Sequence, residues 1–412
     1  MSAQNYAPDN PILEYIQNLP STNKRLPYGQ PVCVLTSHGI TDCASLLQLV
    51  HEVGPHIAAL QFHADIIDDW TDDTIDQLTF CAKKYGFILW EGSRVLNNTV
   101  NFMGRGSSDW NTRRVLADFI KKKYTSGFLR NASWSNIATS WAPGIPVDEQ
   151  EKDVMVPTLR KAAREAVATT VKTIQTEISA AETGLVPEET KAEYSLSPPT
   201  SDGWHEFSSD NVGAALRKSS TISVTETVTM QPHVQPEDGI PAPPLLARGL
   251  ALCLPSAMDT AFTFEFRQST VAAACANSDF VIGFMTSEPF FLYNWGNHLM
   301  DIAFRDGSGR SYKGRGRDLL ESSPYLEKEH TLALFSLIPP EIAKGMDTHP
   351  IDSPNQGSQE DAQPDSVRKL YYVMGQAMKS RENACKERQA NGDPEASSAG
   401  RGILQVPVVM LP

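Results

Sequence analysis

The stretch PVCVLTSHGITDCASLLQLVHEVGPHIAALQFHADIIDDWTDDTIDQLTFCAKKYGFILWE, residues 31–91, decides the fold. Its apolar residues change period four times. PVCVL is a short continuous apolar run of the kind a fully buried strand shows, and CASLLQLVHEVG places apolar residues at helical spacing and stops at Gly54. HIAALQFH is a second buried run, TIDQLTFCAKKYG a second helix ending at Gly86, and FILWE a third strand. Strand, helix, strand, helix, strand at this spacing is the repeating unit of a parallel sheet with helices packed on it.

Working outward, residues 1–30 read as an N-terminal helical segment and residues 31–184 as the first part of the alternating domain. RRVLADFIKKKY and VPTLRKAAREAVATTVKTIQTEIS are amphipathic helices within that part, read as ordinary outer helices. From 185 to 244 the composition turns to Ser, Thr, Pro and Glu, too polar to offset its ordering entropy by burial, so a mostly disordered insertion is expected. Strand patterns resume in LLARGLALCL and DFVIGFMT, and 245–345 is read as the second part of the same domain. A polar insertion at 346–366, a final helix at 367–390 and a tail at 391–412 complete the expected order.

Composition narrows the function classes. The 412 residues are 41% hydrophobic and carry a formal net charge of −13, which is the wrong sign for a surface that neutralises phosphates, so no nucleic-acid partner is expected. The six cysteines have no CxxC or Cys/His ligand spacing and read as free thiols. No basic leader and no long apolar run occurs, so a cytoplasmic address and no membrane contact are expected. Asp65, Asp68, Asp69, Asp72 and Asp73 fall at a loop–helix transition with no His or Cys spaced as a ligand set, so no metal and no cofactor are expected.

Three segments carry a resemblance. VGPHIAALQFHADIIDDW, AKKYGFILWEGSRVLNNTV and LALCLPSAMDTAFTFEFRQSTVAAACANSDFVIGF are similar to the strand and loop signatures of the orotidine 5′-phosphate decarboxylase family, fungal branch. The resemblance implies an α/β fold, a (β/α)8 TIM barrel interrupted by long insertions, with active-site residues at the C-terminal ends of the strands. It also implies a homodimer.

The same alignment shows where the chain departs from the family. That family places a Lys on the second strand and an Asp-x-Lys-x-x-Asp array after the third, a charged network aimed at a developing carbanion. Here Gln61 stands at the strand-two Lys, Gly92 at the first Asp, Arg94 at the catalytic Lys and Asn97 at the second Asp. Ser37 or His38 takes the place of the acid that ends the first strand. A guanidinium keeps its proton, so Arg94 can pair with an anion but is a poor general acid. The family's phosphate-binding Gly-Arg-Gly corresponds to Ser336, Leu337 and Ile338 in TLALFSLIPPEI.

The candidates that remain are His38, His63, Glu91 and Arg94 for chemistry, and Ser37, Gln61, Asn97, Ser256, Thr260 and Arg310 for binding a small molecule. His63 and Asp65 are equally readable as loop supports, and the basic loop 305–317 around Arg310 as a solvated loop or a substitute anion site. The expected function is a diverged decarboxylase-like barrel that has lost orotidylate decarboxylation and runs another lyase, isomerase or cyclase step on a carbonyl or carboxylate compound. The alternatives are a non-catalytic scaffold and a retained orotidine 5′-phosphate decarboxylase.

Overall fold

The computed structural model describes residues 10–92, 110–181, 239–288 except 257, 258 and 260, 331–342 except 340, 363–390 and 403–412. Eight parallel strands close on themselves in chain order, β1 Cys33–Thr36, β2 Ala59–Phe62, β3 Ile88–Glu91, β4 Ile137–Trp141, β5 Gly249–Cys253, β6 Val281–Thr286, β7 Leu332–Leu337 and β8 Ile403–Leu411. The intervening helices are α1 Pro11–Thr22, α2 Cys43–Val53, α3 Asp72–Tyr85, α4 Trp110–Thr125, the short α5 Asn131–Trp134, α6 Met155–Ala181, α7 Phe264–Ala276 and α8 Asp365–Ala390. This is the (β/α)8 barrel that the family resemblance implies, and its parallel strands are those that the alternation at 31–91 predicts. A second compact unit, Val171–His233, contributes the last turns of α6 to the described residues.

The local signals work as the chemistry requires. Asp42 caps α2 by accepting from the Ser45 N–H at 2.8 Å, and Thr71 with Thr74 forms a reciprocal capping box at the start of α3. Gly86 ends α3 at φ 75°, a conformation open to glycine, and its carbonyl accepts the Tyr15 hydroxyl at 2.8 Å. The strands read as unbroken apolar runs because both faces are buried, one in the bore and one under the helices.

The bore is a packed core. Trp90 and Phe335, both fully buried, meet edge to face with ring centroids 4.6 Å apart, and the Trp90 indole N–H donates to Thr139 Oγ1 at 2.7 Å. At the N-terminal end of the barrel α1 packs Ile12, Leu13, Ile16 and Leu19 into the same cluster. Gly283, at φ 155°, presses β6 against the Ala333 backbone, which leaves no room for a Cβ.

Two expectations are corrected. The expected tail contains β8, hydrogen-bonded to β7 on one side and to β1 on the other, with Cys33 opposite Val408 and Ser336 opposite Pro407. Pro407 within the strand and the lack of clear alternation hid it, because proline in a strand argues against a central position. The expected insertion 185–244 ends earlier on the barrel side. Ile240 is buried in the bore-end cluster, Pro241 accepts the Tyr15 hydroxyl, and Pro244 accepts from the Asn136 amide. One isoleucine among prolines has no periodicity to announce it. The insertion at 346–366 falls almost wholly outside the described residues.

Candidate active site

The C-terminal ends of the strands gather the candidates at one mouth, divided by chemistry. On the β1–β3 side lie Ser37 and His38 after β1, Gln61 and His63 at the end of β2, and Glu91 and Gly92 at the end of β3. Around the rest of the mouth, from β5 to β8, alternation from the buried bore residues turns Cys253, Met285, Leu337 and Met410 inward, and Met285 and Leu337 pack against the bore cluster. Burial pushes the Cys253 thiol up to about 12, so it is a packing group.

His38 and His63 converge. Their ring centroids are 5.9 Å apart and tilted by 34°, with His38 exposed and His63 half-buried. The His63 ring lies against Gly92, in the space where a side chain at 92 would begin.

Glu91 is fully buried. Its Oε2 accepts from Asn131 Nδ2 at 2.6 Å, and its backbone N–H donates to Ser135 Oγ at 3.1 Å, so α5 and the turn before β4 fix the carboxylate. Gln61 is 4% exposed and its Oε1 has no hydrogen-bond partner among the described residues. A buried acceptor in this state is a group for a ligand donor to satisfy.

Ser37 is bound into the turn. Its N–H donates to the Leu411 carbonyl at 2.7 Å and its Oγ accepts from the Gly39 N–H at 3.3 Å, which ties the end of β1 to β8. Ser256 is half-buried after β5, its carbonyl accepting from the Asp259 N–H at 3.0 Å. Arg94, Asn97, Thr260 and Arg310, with the rest of the basic loop 305–317, lie outside the described residues.

The acid run at 65–73 does not act as one cluster. Asp69 accepts from the Cys43 N–H at 2.7 Å, Asp72 pairs with Arg130, and Asp73 accepts from Gln77 at 2.6 Å. The Cys43 thiol and N–H hold the Asp69 carboxyl below its usual range. Asp65 separates from them: His63, Asp65 and Glu91 each offer an atom lying within 4.8 Å of the other two. Sequence spacing missed this group because Glu91 reaches it from a different strand, and Asn131 because it comes from a four-residue helix.

A closed barrel of eight parallel strands with helices around it defines a TIM-barrel protein. No family profile matches the chain. It is 28% identical over 104 residues to the orotidine 5′-phosphate decarboxylase of Penicillium nalgiovense, a match covering 25% of this chain and 31% of that protein. It is 24% identical over 119 residues to the Schizosaccharomyces pombe orotidine 5′-phosphate decarboxylase, covering 29% and 38%, and 27% identical over 122 residues to the uridine 5′-monophosphate synthase of Bos taurus, covering 29% and 22%. The matched segment thus spans less than two-fifths of each of these relatives. The chain is related to the orotidine 5′-phosphate decarboxylase superfamily, at low identity and over part of its length.

Proposed function

We propose that this barrel has left orotidylate decarboxylation and runs an acid–base step on a small carbonyl or carboxylate compound, of lyase, isomerase or cyclase type. The observation that carries the reading is the convergence of His38 and His63 at the mouth beside the buried Glu91. One imidazole, neutral, can take a proton from the carbon next to a carbonyl while the other, protonated, delivers its own proton to oxygen or to a neighbouring carbon. The apolar side of the mouth, Met285, Leu337 and Met410, suits the body of an amphipathic substrate, and the Gln61 amide suits its polar end. By sequence, Arg94 is placed to pair with a carboxylate or enolate, and Ser256, Thr260 and Arg310 to bind the substrate's far end.

The neutral Gln61 and Gly92 at positions where the family uses charge support the loss of orotidylate chemistry, since preorganised charge is what stabilises that transition state. The reading includes a homodimer and a pathway of specialised metabolism. The names of the relatives favour the other reading, a retained orotidine 5′-phosphate decarboxylase in pyrimidine biosynthesis.

The test has two arms. The full chain is titrated with orotidylate and 6-hydroxyuridine monophosphate and assayed for decarboxylation; then small keto and carboxylic acids are incubated with it in D2O and followed by NMR. Carbon-bound proton exchange that is lost in His38→Ala and His63→Ala supports the reading. Decarboxylation at a family-like rate overturns it, and nucleotide binding without either activity points to a scaffold.

A further inference from the structure

The geometry points to a divalent transition-metal site at the mouth, formed by His63, Asp65 and Glu91 with His38 as a fourth ligand. It adds a cofactor to the acid–base reading above, but it stands on the placement of the side chains and is tested without turnover.

The donor set is one nitrogen and two carboxylate oxygens whose ligand atoms already lie within 4.8 Å of one another. Ligands at about 2.1 Å on a tetrahedral ion are about 3.4 Å apart, so closure needs roughly an ångström of movement. Asp65 is exposed in a short turn after β2 and can supply that movement. The His38 and His63 ring centroids, 5.9 Å apart, are near the spacing of about 5 Å that two imidazoles adopt on one tetrahedral ion.

Two further features fit a metal ligand set. Glu91 is fully buried and Asn131 holds its Oε2 at 2.6 Å, the kind of outer hydrogen bond that orients a ligating carboxylate. Gly92 gives the His63 ring its place, so the imidazole is fixed by packing on one side. A mixed imidazole and carboxylate set selects a zinc-class ion over magnesium, which prefers oxygen alone. Such an ion would bring to the mouth the positive charge that Gln61 does not carry, beside the one bore-facing amide whose acceptor is unmet among the described residues.

The experiment uses the untagged full chain stripped with a chelator. Co2+ is titrated with visible absorption as the readout, and Zn2+ by calorimetry, with Mg2+ as the comparison ion. The expected result is saturable binding of one Co2+ or Zn2+ per chain, with the absorption of a low-coordinate cobalt centre and no competition from Mg2+. Asp65→Asn should weaken binding about tenfold or more. Since Asp65 is exposed, the metal-free variant should keep the wild-type circular dichroism and melting temperature. Absence of saturable Co2+ and Zn2+ binding overturns the site, as does binding that His63→Ala and Asp65→Asn leave unchanged. Metal binding without any carbonyl chemistry would keep the site and overturn the proposed function instead, so the two failures are distinct.

Discussion

At the scale of single residues, Gly92 makes room for the His63 ring. The His63 ring occupies the space in which a Cβ at 92 would sit, so placing an acid there, Gly92→Asp, should evict the imidazole. The expected outcome is a loss of about 1–3 kcal/mol in urea denaturation with no gain of orotidylate turnover. Asp153 gives a pH prediction. It is 6% exposed, accepts from the Met155 N–H at 2.7 Å, and leaves Oδ2 without a partner among the described residues; burial lifts its carboxyl to about 6. Because the folded-state value is above the unfolded value near 3.9, its stabilising contribution is complete below about pH 4 and is lost as pH rises through about 6, a change on the order of 3 kcal/mol. Asp153→Asn keeps the oxygen that accepts from Met155 and should flatten stability between pH 4.5 and 7.5; an unchanged pH slope would refute this. Gln61 and Gly92 were legible in the sequence because they stand at fixed offsets in strong motifs. Asp65 beside Glu91 was not, because that contact spans two strands and depends on which way a short turn faces.

At the scale of elements, strands β1 to β3 and helices α2 and α3 were readable because each carries one clean period and one cap. The closing strand was not. β8 follows the final helix and contains Pro407, yet it alone joins β7 to β1. Removing residues 403–412 would expose two strand edges and open the bore cluster that includes Val406 and Val408. The truncated chain should lose cooperative thermal unfolding and go to inclusion bodies or aggregate, as read by calorimetry and light scattering. A truncated chain that melts cooperatively near the wild-type temperature would show that the seam contributes little.

At the scale of the whole molecule, the three hydrophobic clusters of the described residues are built from within 12–163 and 240–411, and residues 185–232 are rich in Ser, Thr, Pro and Glu. Replacing residues 185–232 by a flexible linker of about twenty residues should therefore leave a folded barrel whose melting temperature is unchanged or slightly raised, since loop entropy depends only weakly on length. Loss of soluble, cooperatively melting protein would assign the segment a part in the core. The sequence marks this segment by sharp changes of composition at both its ends; its expected end at 244 runs past Ile240, a single apolar anchor that carries no period.

The seam between the first and last strands also sets when the barrel can form in the cell. Cys33 pairs with residues around Val408, so ribosomes adding about 5–20 residues per second leave β1 waiting some 20–75 s for its second neighbour. Throughout that interval the nascent chain presents two unpaired edges and an open apolar bore. Yield of active protein should then depend on holding chaperones and on growth temperature more than on the finished fold's own stability.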